Sequence, residues 1–359
     1  MSETLGFRFE RMRMRRARAI ISYWKDGRLI LENYLSHVVV AVDPAYLRVL
    51  NLFECWQTVS SALESVPEES HEDVRKGIGE LLKRGFLLSE DTEEAKRDET
   101  LEQTWADWLP YGAFHFATKD VNFVHGAEKE NLYAGYVESS APPSSFKTYS
   151  EASNADLPSS ESRRSEFLSL LLRRRTHREY GRSDIPLTAI AELLQYTWGV
   201  KRSEATPLGE LLFKTSPSGG ARHPIEVYVA ALKVDGLKAG LYHYATREHR
   251  LELIREGACS EEAVEYCAGQ EYVRDAAALF IMTAVFGRSM WKYRFARAYR
   301  VVTLDAGHLG QTFCLLATEL GLAPFSTAAL NDSLIERDLQ LDGISESVIY
   351  VVGVGTLPS

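Results

Sequence analysis

The chain is short of cysteine. Cys55, Cys259, Cys267 and Cys314 are its only four, and no two form a CxxC pair. None stands in a Cys/His cluster at zinc-ligand spacing, so we expect reduced thiols, a cytoplasmic setting and no metal site. Long apolar runs are missing too: none approaches the ~20 residues that span a bilayer. The start of the chain, Met1 to Arg18, is rich in arginine and lacks an uninterrupted apolar stretch, so it does not read as a secretory signal. Positive charge is outweighed, with 41 Lys and Arg against 50 Asp and Glu and a formal net charge of -9. A surface of that sign excludes nucleic acid and anionic membrane as general partners. The small-residue loop at 216–224 has neither GxGxxG nor GxxxxGK[ST] spacing, which excludes the Rossmann and P-loop nucleotide sites there. No internal repeat is found.

What is present is ample apolar material: 359 residues, 45% of them hydrophobic. That length predicts two domains, or one large domain with an appendage. Residues 1–26 read as a basic helix packed on its neighbour. Residues 27–95 read as a small winged-helix-like module: a strand at Leu29–Leu35, helices from Ala45, Thr58 and Glu68, then a strand at Phe86–Leu88 after Gly85. Its third helix mixes Arg75, Lys76, Lys83 and Arg84 with many acids, so the phosphate attraction behind DNA binding is weak. Gripping an extended peptide by strand addition suits this charge better. A purely structural cap is the other use such a module can have.

Residues 96–160 read as an irregular connecting segment, too aromatic to be free because of Trp105, Trp108, Tyr111, Phe114 and Phe116, with a Ser/Pro-rich linker at 138–165. From residue 161 to 359 helices and strands intermix without strict alternation, so we expect an α+β domain. Its strands are Ile225–Val229, a hairpin at Leu241–Tyr244 and Leu251–Ile254, a buried run Ala277–Phe286 and a closing Ser347–Val354. A long amphipathic helix carries Leu309, Phe313, Leu316 and Leu320 on one face and stops at Gly321.

Four groups can carry chemistry. Arg174, Arg175, Thr176 and Arg178 at a helix end make a dense site for an anion, since Arg meets phosphate oxygens in pairs. Pro217, Ser218, Gly219, Gly220 and Ala221 let backbone approach a flat ring closely. Lys292 and Tyr293 are adjacent proton-transfer groups, and Asp305 and His308 share a helix face one turn apart. Each has an ordinary reading: a solvated basic end, a turn, a snorkelling lysine beside a packed tyrosine, and a helix cap.

Together these motifs resemble the FMN-dependent nitroreductase superfamily, and within it the SagB-type azoline dehydrogenases of thiazole/oxazole-modified peptide biosynthesis. The resemblance rests on Arg-Arg-Thr-His-Arg, the Pro-Ser-Gly-Gly-Ala-Arg-His-Pro loop, Lys292-Tyr293, Asp305-Ala306-Gly307-His308 and the closing Val-Gly-Val-Gly strand, in that order. It covers residues 160–359, and Ala113 to Thr118 also resembles the segment that precedes this domain in the branch. Thr176 replaces a commoner Ser, and Lys214 stands where an Arg is usual.

The resemblance implies that Arg174, Arg175, Thr176 and Arg178 hold the FMN phosphate and ribityl chain, and that Pro217 to Ala221 line the isoalloxazine. It places Gln311 near the flavin and the backbone of Pro324, Ser326 and Thr327 at its N5 edge. It makes Lys292 and Tyr293 the catalytic pair, with His308 a rival base whose ordinary pKa is already near neutral. It implies a homodimer that builds its flavin site between subunits. It also implies a precursor peptide as substrate, O2 as the oxidant that regenerates the flavin, and a cyclodehydratase as partner. Two other functions fit the same residues: a different flavin-dependent step on a peptide (Cα–Cβ desaturation or dehydroamino acid reduction), or a non-catalytic scaffold of a cyclodehydratase complex.

Overall fold

The computed structural model describes residues 9–147, 155–158, 165–207 and 209–358. It divides into two compact units. One comprises Met1–Lys119, Val285–Val302 and Asp342–Ser347; the other comprises Asp120–Ala284, Thr303–Leu341 and Val348–Ser359. In this division the chain returns twice to the first unit.

In the first unit Phe9 and Glu10 are helical, and from Arg13 on the described part of the basic start pairs as strands rather than as a helix. Arg13–Arg16 forms strand β1 and Ile20–Lys25 forms β2; Met1–Arg8 lie outside the described residues. Arginine favours helices, but here tertiary pairing wins over propensity. β1 lies between β5 (Gln57–Thr58) and β6 (Leu87–Ser89), and it buries Met14 completely. Arg15 is buried with it and reaches Asp98 and Glu102, each at 2.7 Å. A second antiparallel sheet runs β2–β3–β4, with β3 at Arg28–Asn33 and β4 at Val38–Val42.

Three helices follow at Ala45–Leu52, Val59–Leu63 and His71–Lys83, close to the expected positions. Thr58 caps the second through the Ser61 N–H. The third has Glu72 and Asp73 in its first turn and Lys83 in its last, which complements the helix dipole. Leu31, Phe53, Val59, Ile78, Leu81 and Phe86 form the core beneath them.

The connecting segment is more regular than its sequence suggested. Helices occupy Glu93–Trp105, Gly112–Ala117 and Gly126–Ser139. Thr92 caps the first by accepting from the Ala95 N–H. Much of the Ser/Pro-rich linker, residues 148–154 and 159–164, lies outside the described residues.

The second unit is built on a six-stranded sheet. Its smaller strands are β7 (Ile185–Pro186), the β8–β9 hairpin (Arg202–Thr206, Gly209–Phe213) and β11 (Val234–Asp235). The large sheet combines β10 (Ile225–Ala231), β12 (Gly240–Ala245), β13 (Arg250–Glu256), β14 (Ala278–Val285), β15 (Leu322–Thr327) and β16 (Glu346–Thr356). Their order is β13-β12-β10-β14-β16-β15. This is the expected α+β fold.

β14 is central and buried on both faces, which is why it reads as an unbroken apolar run. On one face Phe280 packs on Trp198 and on Phe313 of the long helix Tyr299–Glu319, with ring centroids 5.8 and 4.7 Å apart. On the other, Leu279 and Ile281 join Tyr228, Leu241, Val273 and Phe325.

The two glycines that end the chain's last strand have a steric reason. A Cβ on Gly353 would lie 2.6 Å from Phe325 Cζ, and one on Gly355 would lie 2.7 Å from Tyr180 Cγ. Gly353→Ala is expected to cost about 1–3 kcal/mol by overpacking, a fall in melting temperature of several degrees. An unchanged melting temperature would show that the Phe325 ring yields freely.

Candidate active site

The small-residue loop leaves β9 and folds tightly before β10. Gly220, Ala221 and His223 have φ of 60°, 54° and 44°, a left-handed backbone that only glycine adopts without cost. Side chains from the long helix hold this shape. Ser218 Oγ donates to Asp305 Oδ2 at 2.5 Å, and the Gly219 N–H donates to Asp305 Oδ1 at 3.3 Å. The His223 N–H donates to Ser218 Oγ at 2.9 Å, and Ser216 Oγ pairs with Thr312 Oγ1 at 2.7 Å. Asp305 is buried, and burial pushes its carboxyl pKa up against the two hydrogen bonds that lower it.

This corrects the sequence expectation for Asp305. It does not cap a helix: its oxygens accept from the loop, and the nearby His308 charge favours its ionised form. Serines and glycines 86 or 87 residues distant carry no local signal of such a partner.

The arginine-rich stretch follows the helix Glu166–Arg173 and runs extended. Arg174 is half-buried and lies near enough to Cys314 on the long helix to lower its thiol pKa, although burial dominates and raises it to about 11. Arg175, Thr176 and Arg178 are exposed, and the Arg178 guanidinium stands 5.5 Å over the Tyr272 ring. The His177 N–H donates to the Pro324 carbonyl at 2.9 Å, which fastens the stretch to β15. Burial lowers the His177 pKa first and the Arg175 charge lowers it further. Further along β15, Thr327 Oγ1 accepts from Gln270 Nε2 at 2.8 Å and from the Ala329 N–H at 3.1 Å. Ser326 is half-buried. Gln311 and His308 are exposed on the long helix.

The second unit thus brings together the arginine stretch, the loop, the long helix and β15. The donor chemistry fits an anionic group carrying a flat ring. Arg174, Arg175 and Arg178 lie on one stretch, where the histidine between them is disfavoured as a cation. In the loop the N–H groups of Gly219, Ala221, Arg222 and His223 are engaged by Asp305 and by the loop itself, which fixes its shape.

Lys292 and Tyr293 belong to the other unit. They sit in a stretch without helix or strand between the helix Phe286–Met290 and the turn Ala296–Ala298. Lys292 is exposed, with Nζ 5.5 Å from the Tyr293 ring centroid. Around this stretch lies an aromatic cluster whose role the sequence did not reveal. Trp105 stacks on His115 at 5.6 Å and packs on Phe286 at 4.8 Å. His115 is buried, with Nδ1 3.0 Å from the Tyr299 hydroxyl and Nε2 3.1 Å from Ser347 Oγ.

Burial holds the His115 pKa down at about 3, with Lys119 adding to the effect. The unfolded chain, with an ordinary histidine pKa near 6.5, then binds a proton between about pH 6.5 and 3 that the folded chain refuses. Stability therefore falls as pH drops through that window. At pH 5 the loss is on the order of 2 kcal/mol relative to pH 7.5. The drop in melting temperature between those pH values should be smaller in His115→Asn than in the parent; equal drops would assign the acid sensitivity to other groups.

A family model described as the nitroreductase family matches residues 171–356, just over half of the chain. The chain belongs to the nitroreductase family. Its members are flavin-dependent oxidoreductases, which accords with the anion-and-ring site. Among curated relatives, the trifolitoxin-processing protein TfxB of Rhizobium leguminosarum bv. trifolii is 40% identical over 145 residues, 39% of this chain and 39% of that protein. The match thus spans about two-fifths of that relative's own length. The microcin B17-processing protein McbC of Escherichia coli is 29% identical over 133 residues, 35% of this chain and 48% of that protein. The solved E. coli microcin synthetase McbBCD complex, with truncated pro-MccB17 bound, contains a chain of similar fold. Its TM-score is 0.53 at 18% identity, covering 75% of this chain and 99% of that one. No helix among the described residues is long and apolar enough to cross a membrane.

Proposed function

We propose that this nitroreductase-family protein is an FMN-dependent dehydrogenase of a modified precursor peptide, converting a thiazoline or oxazoline ring to the thiazole or oxazole. The observation that carries this reading is the coincidence of a flavin-type site with relatives named for processing trifolitoxin and microcin B17. Arg174, Arg175, Thr176 and Arg178 would hold the phosphate and ribityl chain. Pro217 to Ala221, Gln311 and the backbone of Pro324, Ser326 and Thr327 would flank the ring.

Bound there, FMN would supply the two-electron acceptor for a hydride leaving one ring carbon, with O2 as its final oxidant. Lys292 takes the proton from the adjacent carbon, so that the new double bond closes the aromatic ring. Tyr293 orients the amine through its ring and relays the proton. His308 is the alternative base.

Two features support a homodimer. The long helix exposes Thr303, Leu304, Gly307, His308 and Gln311 along one face. The helix Glu166–Arg173 buries none of its residues and exposes Phe167, Leu171 and Leu172. The winged-helix-like module suits a leader peptide added to the edge of β4, where Val39 is exposed. A cyclodehydratase that installs the azoline is the expected partner, and the setting is cytoplasmic.

The test is the visible spectrum of the purified protein, identification of the released cofactor, and anaerobic reduction by an azoline-containing peptide. Bound FMN, and a product lighter by two hydrogen atoms at the heterocycle, are the expected results. A gain of two hydrogens would move the reaction to dehydroamino acid reduction. A colourless protein that takes up no FMN would leave a scaffold of the cyclodehydratase complex. A monomer by light scattering at assay concentration would remove the shared-site dimer.

A further inference from the structure

The stretch Trp291–Phe295 has no ladder of its own, yet on the reading above it carries the proton chemistry. Its amide side is tied back to the preceding helix: the Trp291 N–H reaches Gly287 O at 3.0 Å, and the Tyr293 N–H reaches Ser289 O at 2.9 Å. Its carbonyl side is held from far along the chain. Trp108 Nε1 donates to the Tyr293 carbonyl at 2.9 Å across 185 positions. The indole N–H is a donor only, and Trp108 is 1% exposed.

The same segment grips both flanks. Trp105 packs on Phe286 upstream, and His115 meets the Tyr299 hydroxyl downstream. Between Trp105 and Trp108 the chain turns at Ala106, whose φ is 25°. That left-handed geometry costs a non-glycine residue energy and persists only where its surroundings require it.

We propose that Trp108 is a positioning residue for the Lys292–Tyr293 pair: its indole N–H fixes the peptide plane after Tyr293, as the Ser289 carbonyl fixes the plane before it through the Tyr293 N–H, and the two together aim the side chains. This rests on the assignment of that pair as the proton-transfer groups. Hydrogen bonds to the two peptide planes that flank Tyr293 control the direction of the reactive side chains more than their presence, and small misplacements cost rate steeply.

The experiment compares Trp108→Phe with Trp105→Phe in the full-length, FMN-loaded protein. Trp105 donates to the Ile344 carbonyl at 3.1 Å, so its variant loses a hydrogen bond of the same kind from the same cluster but not from the loop. Trp108→Phe is expected to lower kcat per bound flavin about tenfold, with KM within about twofold and a displaced pH profile of kcat. Trp105→Phe is expected to lose melting temperature while keeping kcat and the pH profile.

If Trp108→Phe does not fold, benzothienylalanine at position 108 keeps the indole shape without its N–H and is measured instead. In a Lys292→Ala background the Trp108 change should add no further loss. A Trp108→Phe enzyme with the parent kcat per flavin and pH profile overturns the proposal alone. A fully active Lys292→Ala enzyme removes the catalytic assignment and this proposal with it.

Discussion

Lys292→Ala is expected to keep its flavin and lose turnover by roughly 10²- to 10⁴-fold, the range a positioned proton acceptor contributes. The proposed dehydrogenation would release a proton as well as a hydride, and only the proton would need a protein group. Lys292 is an exposed amine above the Tyr293 ring, in a stretch whose backbone is tied at Ser289 and Trp108. The residues that fit the flavin lie elsewhere in the sequence and are not changed by the substitution. The measurement is single-turnover reduction of bound FMN by an azoline peptide, followed by its absorbance. Parent-like rates in Lys292→Ala would transfer the role to His308, and His308→Ala would then be the inactive variant. Tyr293→Phe should fall less than Lys292→Ala, because it removes a relay and leaves the acceptor.

The second large effect is expected at Asp305, through binding rather than chemistry. Asp305→Ala strands the Ser218 hydroxyl and the Gly219 N–H, both of which donate to this carboxylate in a buried setting. Leaving buried donors unpaired costs about 1–3 kcal/mol each. The loop has three left-handed residues to hold in place and has lost its tether. We expect flavin affinity to fall by roughly ten- to several-hundredfold, with Asp305→Asn intermediate because its amide oxygen still accepts. Flavin fluorescence titration of the stripped protein measures this. Unchanged affinity in Asp305→Ala, with an unchanged far-ultraviolet circular dichroism spectrum, would show that the loop keeps its shape without the carboxylate.

Much of the architecture was legible because its signals are local. The run Ala277–Phe286 announced a strand buried on both faces, and β14 is that strand. Leu309, Phe313 and Leu316 announced one face of a helix, and Phe313 is buried against Phe280. Thr58 and Gly85 marked a helix start and a helix end, and each does so in the structure. From Arg13 on the basic start is strand, because arginine's helix preference is local whereas its pairing with Asp98 and Glu102 is not. The connecting segment was undervalued because its helices take their order from Trp105, Trp108 and His115, whose partners lie at Phe286, Tyr293, Tyr299 and Ser347.

By itself, then, the sequence determined the fold class, the family and the identities of the arginine stretch, the small-residue loop and the Lys-Tyr pair, since each is a contiguous motif with its own spacing. Only the tertiary structure decided that Asp305 secures the loop, that Trp108 and His115 brace the Lys-Tyr stretch, and that the first unit takes in two later passages of the chain. Hydrogen bonds between residues 86 to 232 positions apart leave no periodicity behind. They exist only once the sheet and the long helix have brought their ends together.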